Sequence, residues 1–339
     1  MLGVSKNKKN LRGFILSKAV RFHTFGGPDV LRFEDVTLDA LAPDEARVRH
    51  VAIGLNFIDT YQRSGLYKVP LPAIAGTEAA GIIEAVGSNV THVKVGDRVA
   101  YAGGAPGAYC EVRNFTALRL CKLPDDISFE KAAAMMLKGM TVQYLIRRTY
   151  AVKADDTVLF HAVSGGVGLI ACQWLKALGA IVIGTAGSDE KCALAMQHGA
   201  DYCINYNREN FTQRVCEITK GAGVPVVYDS VGKDTFLGSL DCLSPLGTLV
   251  CFGNASGPVP AFEPSLLAQK GSLFITRPNL MHYIASSSDL QNAASDLFSI
   301  VQSGKVSIEI GHRYALKDAA QAHRDLEARK NTGSSILIP

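Results

Sequence analysis

The residues best suited to chemistry in this chain of 339 residues are small and uncharged. Val163-Ser164-Gly165-Gly166-Val167-Gly168 is a glycine-rich turn between an apolar run, Thr157 to Ala162, and a helix-favouring segment, Leu169 to Ala180. Backbone N–H groups left free where a helix begins, together with the positive end of its dipole, hold phosphate oxygens. Gly165 leaves room for a phosphate to approach the backbone. Gly166 and Val167 add amides, and Gly168 lets the helix pack closely on the strand. Val163 stands where the first glycine of G-x-G-x-x-G belongs, so the match is partial. The plain alternative is a glycine-rich turn in an ordinary α/β protein. The flanking run and helix favour nucleotide binding.

A second group follows the β-branched run Ile181 to Thr185, some twenty residues past Gly168. An NAD site usually places an acidic residue there, against the ribose hydroxyls. This chain has Gly187 and Ser188, with Lys191 three residues on. On that reading no carboxylate is present to repel a 2′-phosphate, and a cation is within reach. The expectation is NADP(H) over NAD(H), with Ser188 and Lys191 on the 2′-phosphate; the alternative is a solvated lysine at a helix end. Later strand ends offer Tyr206 towards the adenosine, and Ser230, Phe252, Gly253 and Asn254 towards the nicotinamide. Each taken alone is a plain strand terminus. Their weight comes from a shared place at the carboxyl edge of one parallel sheet. His161 lies inside the first strand of this region and reads as structural. No serine, cysteine or histidine triad is evident.

The elements that must carry these residues alternate. After strand, turn, helix and strand over 157–185, the pattern predicts helices over Lys191–His198, Asn210–Thr219 and Thr235–Leu243. Strands are predicted over Cys203–Tyr206, Pro225–Asp229, Thr248–Phe252 and Leu273–Arg277. Such alternation argues for a doubly wound parallel sheet. Residues 19–102 read differently. Short strands (Ala19–Phe22, Ala46–Val51, Ile82–Val86, Arg98–Ala102), small residues and close turns suggest a β-barrel-like unit, interrupted by a helix from Asn56 to about Gly65. Two helices, Phe129–Met136 and Gly139–Arg148, lead from one region to the other. Late helices are expected over Leu290–Ser303 and Lys317–Lys330, and Ser335–Ile338 reads as a strand returning to the first region. The domain boundaries expected are a disordered basic extension over 1–17, a first domain over 18–138 completed by about 280–339, and a nucleotide domain over 139–279.

Composition narrows the class. The chain is 47% hydrophobic and 19% charged, the balance of a globular protein able to bury a core. Its net charge of +4 misleads: residues 1–28 hold six basic groups and no acid, so the remainder nets −2. No nucleic-acid surface is expected from that body. The eight cysteines form no C-x-x-C and read as small buried hydrophobes of a reducing compartment. No run suits a membrane span. The expected location is cytoplasmic, with organelle targeting by the basic leader as the alternative.

Taken together, these stretches resemble the medium-chain dehydrogenase/reductase superfamily, and within it the zinc-free quinone oxidoreductases of bacterial NADPH:quinone reductase type. The stretches that match are Asn56-Phe57-Ile58-Asp59-Thr60-Tyr61, Arg63-Ser64-Gly65-Leu66-Tyr67, Gly76-Thr77-Glu78-Ala79-Ala80-Gly81, Gly96-Asp97-Arg98-Val99, Leu137-Lys138-Gly139-Met140-Thr141-Val142, Tyr228-Asp229-Ser230-Val231-Gly232, Phe252-Gly253-Asn254 and Asn331-Thr332-Gly333-Ser334-Ser335. The resemblance covers about residue 18 to the end. It implies a GroES-like β-barrel-like catalytic domain, a Rossmann doubly wound domain, NADPH as cofactor, and a homodimer joined through the edge strand near Leu273–Arg277. Zinc members of the superfamily place a cysteine where Asn56 stands and a histidine where Thr77 stands. They also carry four closely spaced cysteines where only Cys110 and Cys121 occur here. No zinc is therefore expected. A hydride would pass directly from the nicotinamide to a quinone, with the protein supplying alignment, a dry apolar slot and a donor to the developing oxyanion. The resemblance sets the Asn56–Tyr61 segment against the nicotinamide. Asn56, Tyr61 and Tyr67 are the candidates for the slot, with Arg277 more distant, and Thr141 a further cofactor contact. The tyrosines could equally be amphipathic packing. Reduction of α,β-unsaturated carbonyls, and a nucleotide-binding structural role of crystallin type, are the competing functions.

Overall fold

The computed structural model describes residues 15–339; the expected basic extension, up to residue 14, lies outside the described residues. In chain order the first strands are β1 (Ile15–Phe22), β2 (Arg32–Leu38) and β3 (Glu45–Leu55), then helix α1 (Phe57–Ser64). Next come β4 (Ala73–Ile74), β5 (Glu78–Val86), β6 (Arg98–Ala102), β7 (Val112–Thr116) and β8 (Cys121–Lys122). Helix α2 (Phe129–Tyr144) runs into a π-helical turn, Leu145–Thr149. The alternating region holds β9 (Thr157–Phe160), α3 (Gly166–Ala177), β10 (Ile181–Ala186), α4 (Asp189–Gln197), β11 (Tyr202–Asn205), α5 (Phe211–Ile218) and β12 (Val224–Asp229). It continues with α6 (Phe236–Asp241), β13 (Leu243–Cys251), α7 (Ser265–Gln269), β14 (Phe274–Thr276), α8 (Leu280–Tyr283) and α9 (Ser287–Gln302). The chain closes with β15 (Ile310–Ala315), α10 (Ala319–Glu327) and β16 (Ser334–Ile338).

The chain divides into two compact units. The first takes residues up to Leu137, then Ile310–Asn331 and Ser335–Pro339. It holds a three-stranded sheet in the order β2-β1-β4 and a seven-stranded sheet in the order β15-β16-β3-β5-β6-β8, with β7 also on β3. The returning C-terminal strand is seated as expected: Ser335, Ile336 and Leu337 pair antiparallel with Leu55, Gly54 and Ile53. Aliphatic and aromatic side chains from these strands and the turns between them meet in one core, Phe22, Ile53, Leu55, Tyr101, Leu120 and Leu337 among them.

The second unit takes Lys138–Glu309 and Thr332–Ser334. Its six strands are parallel, in the order β11-β10-β9-β12-β13-β14. Numbered from β9 this is 3-2-1-4-5-6, the doubly wound order, and it reverses direction between β9 and β12. Leu159, Ile183, Val227, Phe236 and Leu249 anchor its core.

Several expectations shift. β1 begins at Ile15, so Ser17, expected in the extension, is a buried strand residue. Strands β7 and β15 lie outside the expected strands, and β2 falls in a stretch read as β-structure without a strand of its own, because their apolar residues (Val112 and Phe115; Ile310 and Tyr314; Phe33, Val36 and Leu38) do not recur at every second position. The two linking helices are one helix, α2, since nothing between Met136 and Gly139 breaks it. Residues 280–309 belong to the second unit and not to the first: α9 lays Leu297 against Gly139, where an added Cβ would come within 2.4 Å of the leucine side chain.

Candidate functional site

At the switch point of the parallel sheet, β9 gives way to the turn His161–Gly165 and α3 begins, with Gly165 as its N-cap in extended conformation. The glycines divide their work. A Cβ on Gly168 would lie 2.4 Å from Val163 Cα and 2.6 Å from Ala162 O, so the helix can sit this close to the turn only without a side chain there. A Cβ on Gly165 would meet only Ala162 O, at 3.4 Å, so the space beyond Gly165 is open. The first turn of α3 carries no acidic side chain, and first-turn amides have no acceptor within their own helix. These donors suit an anion such as the pyrophosphate of a dinucleotide. The segment Thr332–Ser334 completes the turn: Gly333 bridges to Gly165, its N–H donates to Ser164 O at 3.1 Å, and Ser334 Oγ would lie 2.7 Å from a Cβ on Gly166. The sequence reading carried Asn331–Ser335 as a matching stretch with no role. Its distance along the chain from Gly165 hid this contact.

Ser188 caps α4, its Oγ accepting the Lys191 N–H at 3.3 Å. The two expected 2′-phosphate residues are thus adjacent. Tyr206, at the end of β11, is 40% exposed, and its hydroxyl would be 2.7 Å from a Cβ on Gly187. One expectation needs correcting: carboxylates do stand here. Asp189 and Glu190 occupy the first turn of α4, where the helix dipole favours them. Asp189 is paired with Arg208 and accepts a hydrogen bond from the Asn205 amide, 2.7 Å away. A hydrogen bond from the Ser188 side chain holds the Glu190 carboxyl below its ordinary range. Arg208 is a cation the sequence reading missed; its place directly after Tyr206-Asn207 on the same strand end was the available signal.

The ends of β12 and β13 are laced together. Phe252 N–H donates to Asp229 O at 2.7 Å, and Ala255 N–H to Ser230 O at 3.1 Å. Gly253 lies flat on Ser230, where a Cβ would be 2.4 Å from the serine carbonyl oxygen. Ser230, Phe252, Gly253 and Asn254 therefore share one sheet edge. Arg277 follows β14 and donates to Cys251 O at 2.9 Å, beside that edge. Thr141 is buried on α2. His161 is structural as expected: its ring nitrogens lie 2.9 Å from Thr185 Oγ1 and 3.0 Å from Ser239 Oγ, and burial lowers its pKa. Ser239 in turn donates to Asp229, 2.8 Å away, so serine lies between histidine and aspartate. A catalytic triad needs histidine in the middle.

In the first unit, Asn56 caps α1. Its Nδ2 donates to Glu78 Oε2 at 2.7 Å, and its backbone N–H to Asp59 Oδ2 at 2.9 Å. Glu78 is fully buried and also accepts the Leu137 N–H at 2.7 Å. One amide hydrogen of Asn56 is thereby committed to Glu78. Tyr61 and Tyr67 meet edge to face at 5.4 Å, and Phe57 adds a third ring 6.2 Å from Tyr61. Among the described residues no group of three or more histidine, cysteine, aspartate or glutamate side chains could hold a metal ion.

Comparison with known proteins adds to this geometry. Residues 42–168 match the family described as alcohol dehydrogenase GroES-like domain, and residues 166–299 the zinc-binding dehydrogenase family. A quinone oxidoreductase of Pseudomonas aeruginosa is 55% identical over 96% of this chain and 100% of its own length. A 2-haloacrylate reductase of a Burkholderia species is 42% identical over 95% of this chain and 98% of its own. The crystal structure of Escherichia coli quinone oxidoreductase complexed with NADPH superposes with a TM-score of 0.94 at 52% identity, covering 95% of this chain and all of that one.

Proposed function

This chain belongs to the medium-chain dehydrogenase/reductase family, among its quinone oxidoreductases, and from that premise we propose that it is an NADPH-dependent quinone reductase working without zinc. The observation that carries the reading is the doubly wound sheet, with open α3 amides at its switch point and Ser188 and Lys191 at the next strand end. NADPH, when bound, supplies a hydride from C4 of its nicotinamide. The chain's part is to hold and align. The Gly166 and Val167 amides take the pyrophosphate, with Gly165, whose own N–H is spent on Ala162 O, leaving room for its approach; Ser188 and Lys191 take the 2′-phosphate, with Tyr206 beside them. Thr141, Ser230, Phe252, Gly253, Asn254 and Arg277 serve the nicotinamide half. Tyr61, Tyr67 and the second amide hydrogen of Asn56 are donors for the oxygen that gains charge as hydride arrives. A quinone is a good two-electron acceptor, so hydrogen bonds suffice in place of a Lewis acid.

NADPH oxidation followed with benzoquinones, naphthoquinones and alkenals tests this. Quinones are expected to turn over fastest. Tight NADPH binding with no turnover on any acceptor would overturn the reading. The 2-haloacrylate reductase relative favours a second reading, reduction of activated alkenes, and preference for the alkenals would select it. All eight cysteines are free, in keeping with a reducing, cytoplasmic setting. The edge strand β14, with Phe274 60% exposed, is the surface through which a homodimer would form.

A further inference from the structure

Behind α1 lies a ring of buried polar groups that the reaction above does not use. Arg63, only 2% exposed and one helical turn past Asp59, pairs with Glu327 of α10. Its Nη1 lies 3.3 Å from His323 Nδ1. His323 Nε2 lies 3.1 Å from the Tyr109 hydroxyl, and that hydroxyl donates to Asp59 Oδ2 at 3.0 Å. Asp59 also accepts the Asn56 N–H and, on Oδ1, the Thr77 hydroxyl at 3.1 Å. The ring thus leaves α1 at Arg63 and returns to it at Asp59.

With Asp59 ionised, every hydrogen in the ring has one allowed direction. A guanidinium can only donate, so His323 Nδ1 must accept. A neutral histidine accepting at Nδ1 carries its proton on Nε2 and donates to Tyr109. Tyr109, having accepted from His323, spends its own hydrogen on Asp59. Burial, with Arg63 alongside, pushes the His323 pKa down to about 3, so the neutral ring persists. A Cβ on Gly76 would lie 2.0 Å from Tyr109 Cδ1, so glycine there lets the tyrosine ring lie against the backbone.

We propose that Arg63, His323 and Tyr109 form a one-way hydrogen-bonded strap that fixes Asp59, and through it the Asn56–Tyr61 segment, in the geometry that turnover requires. His323 and Tyr109 are then positioning residues; the inference rests on the reading of Asn56 and Tyr61 as substrate donors. The strap uses Asp59 as an acceptor, so it is complete when the carboxyl is ionised. Burial raises the Asp59 pKa to about 7, against the lowering pull of Asn56, Tyr109 and Thr77 and with Glu78 adding repulsion. The charged and titratable groups around it are Glu78 of β5, Tyr109 ahead of β7, Arg63 of α1, and His323 and Glu327 of α10.

Two experiments test the strap. Nitrogen-15 NMR of histidine-labelled protein without cofactor reads the tautomer directly. His323 is expected as the neutral Nε2–H form from pH 5 to 9. An Nδ1–H tautomer, or titration near the ordinary value, would overturn the wiring whatever the enzyme reduces. Steady-state kinetics on the acceptor that turns over fastest reads the consequence. Tyr109→Phe keeps the ring packing and removes one charge-assisted hydrogen bond. Its kcat should fall about 10- to 100-fold with KM for NADPH unchanged. Loss of that donor should also move the acid limb of the wild-type kcat profile, near neutral pH, to higher pH. His323→Leu should behave alike, and His323→Gln, whose amide can accept from Arg63 and donate to Tyr109, should restore most of the rate. A folded Tyr109→Phe with wild-type kcat and pH profile would sink the proposal. Absence of turnover in the wild type would instead count against the functional reading.

Discussion

Ser188 and Lys191 share one turn, and the serine oxygen that caps the lysine N–H fixes where the lysine side chain starts. A charge-assisted contact to a 2′-phosphate is worth about 1.5–3 kcal/mol. Lys191→Ala should therefore weaken NADPH binding by roughly 10- to 150-fold while leaving NADH nearly unchanged. Calorimetric titration with both cofactors checks this, and an equal loss for the two would remove lysine from the phosphate. That cap was legible in the sequence, because it depends on a spacing of three along one helix end. Its neighbourhood was not. Arg208 reaches Asp189 from a different element, and the pair forms only when β11 is laid beside β10. The same holds for Asn56: its place at the start of a helix was readable, but its bond to Glu78 spans twenty-two residues and two elements.

Helix α3 is held on the sheet by the absence of a side chain at Gly168. Gly168→Ala would drive a methyl into backbone atoms of Ala162 and Val163, which cannot move aside as a flexible side chain could. A cost of about 1–3 kcal/mol is expected, read by urea unfolding, together with weaker NADPH binding as the α3 amides shift. Strand β14 poses the opposite situation, an unpaired edge with a phenylalanine in solvent. Phe274→Asp should halve the mass measured by light scattering if the protein pairs through this edge, and an unchanged mass would place the interface elsewhere. The alternating elements of the second unit were read correctly from period and turn residues. β2 and β15 were not picked out because their apolar residues do not recur at every second position, so neither shows a run of strict alternation.

Across the whole molecule, buried ionisable groups set how stability follows pH. Burial lowers the pKa of His50 to about 4 and of His323 to about 3, and lowers that of His161. Each remains neutral in the fold where the unfolded chain would take a proton, so their contribution is present above about 6.5 and is lost as pH falls. Asp59, raised to about 7, has the opposite sign: the fold holds a proton that the unfolded chain has released, and this contribution fades as pH rises from 3.8 to about 7. The histidines outnumber the aspartate, so the melting temperature should peak near pH 6.5 and fall towards pH 4. The expected net slope is about 1.4 kcal/mol per pH unit for each uncompensated proton, checked by calorimetry across that range. None of this could be read from the chain alone, since burial is a property of the packed core. What the sequence determined by itself was the periodic part: the βαβ order, the glycine turn, and the serine and lysine after the second strand. These depend on neighbours within a few residues. The tertiary structure alone decided which distant groups meet: Gly333 on Gly165, Arg208 on Asp189, and His323 on Tyr109. Such pairs are made by strand order and core packing, and no local spacing encodes them.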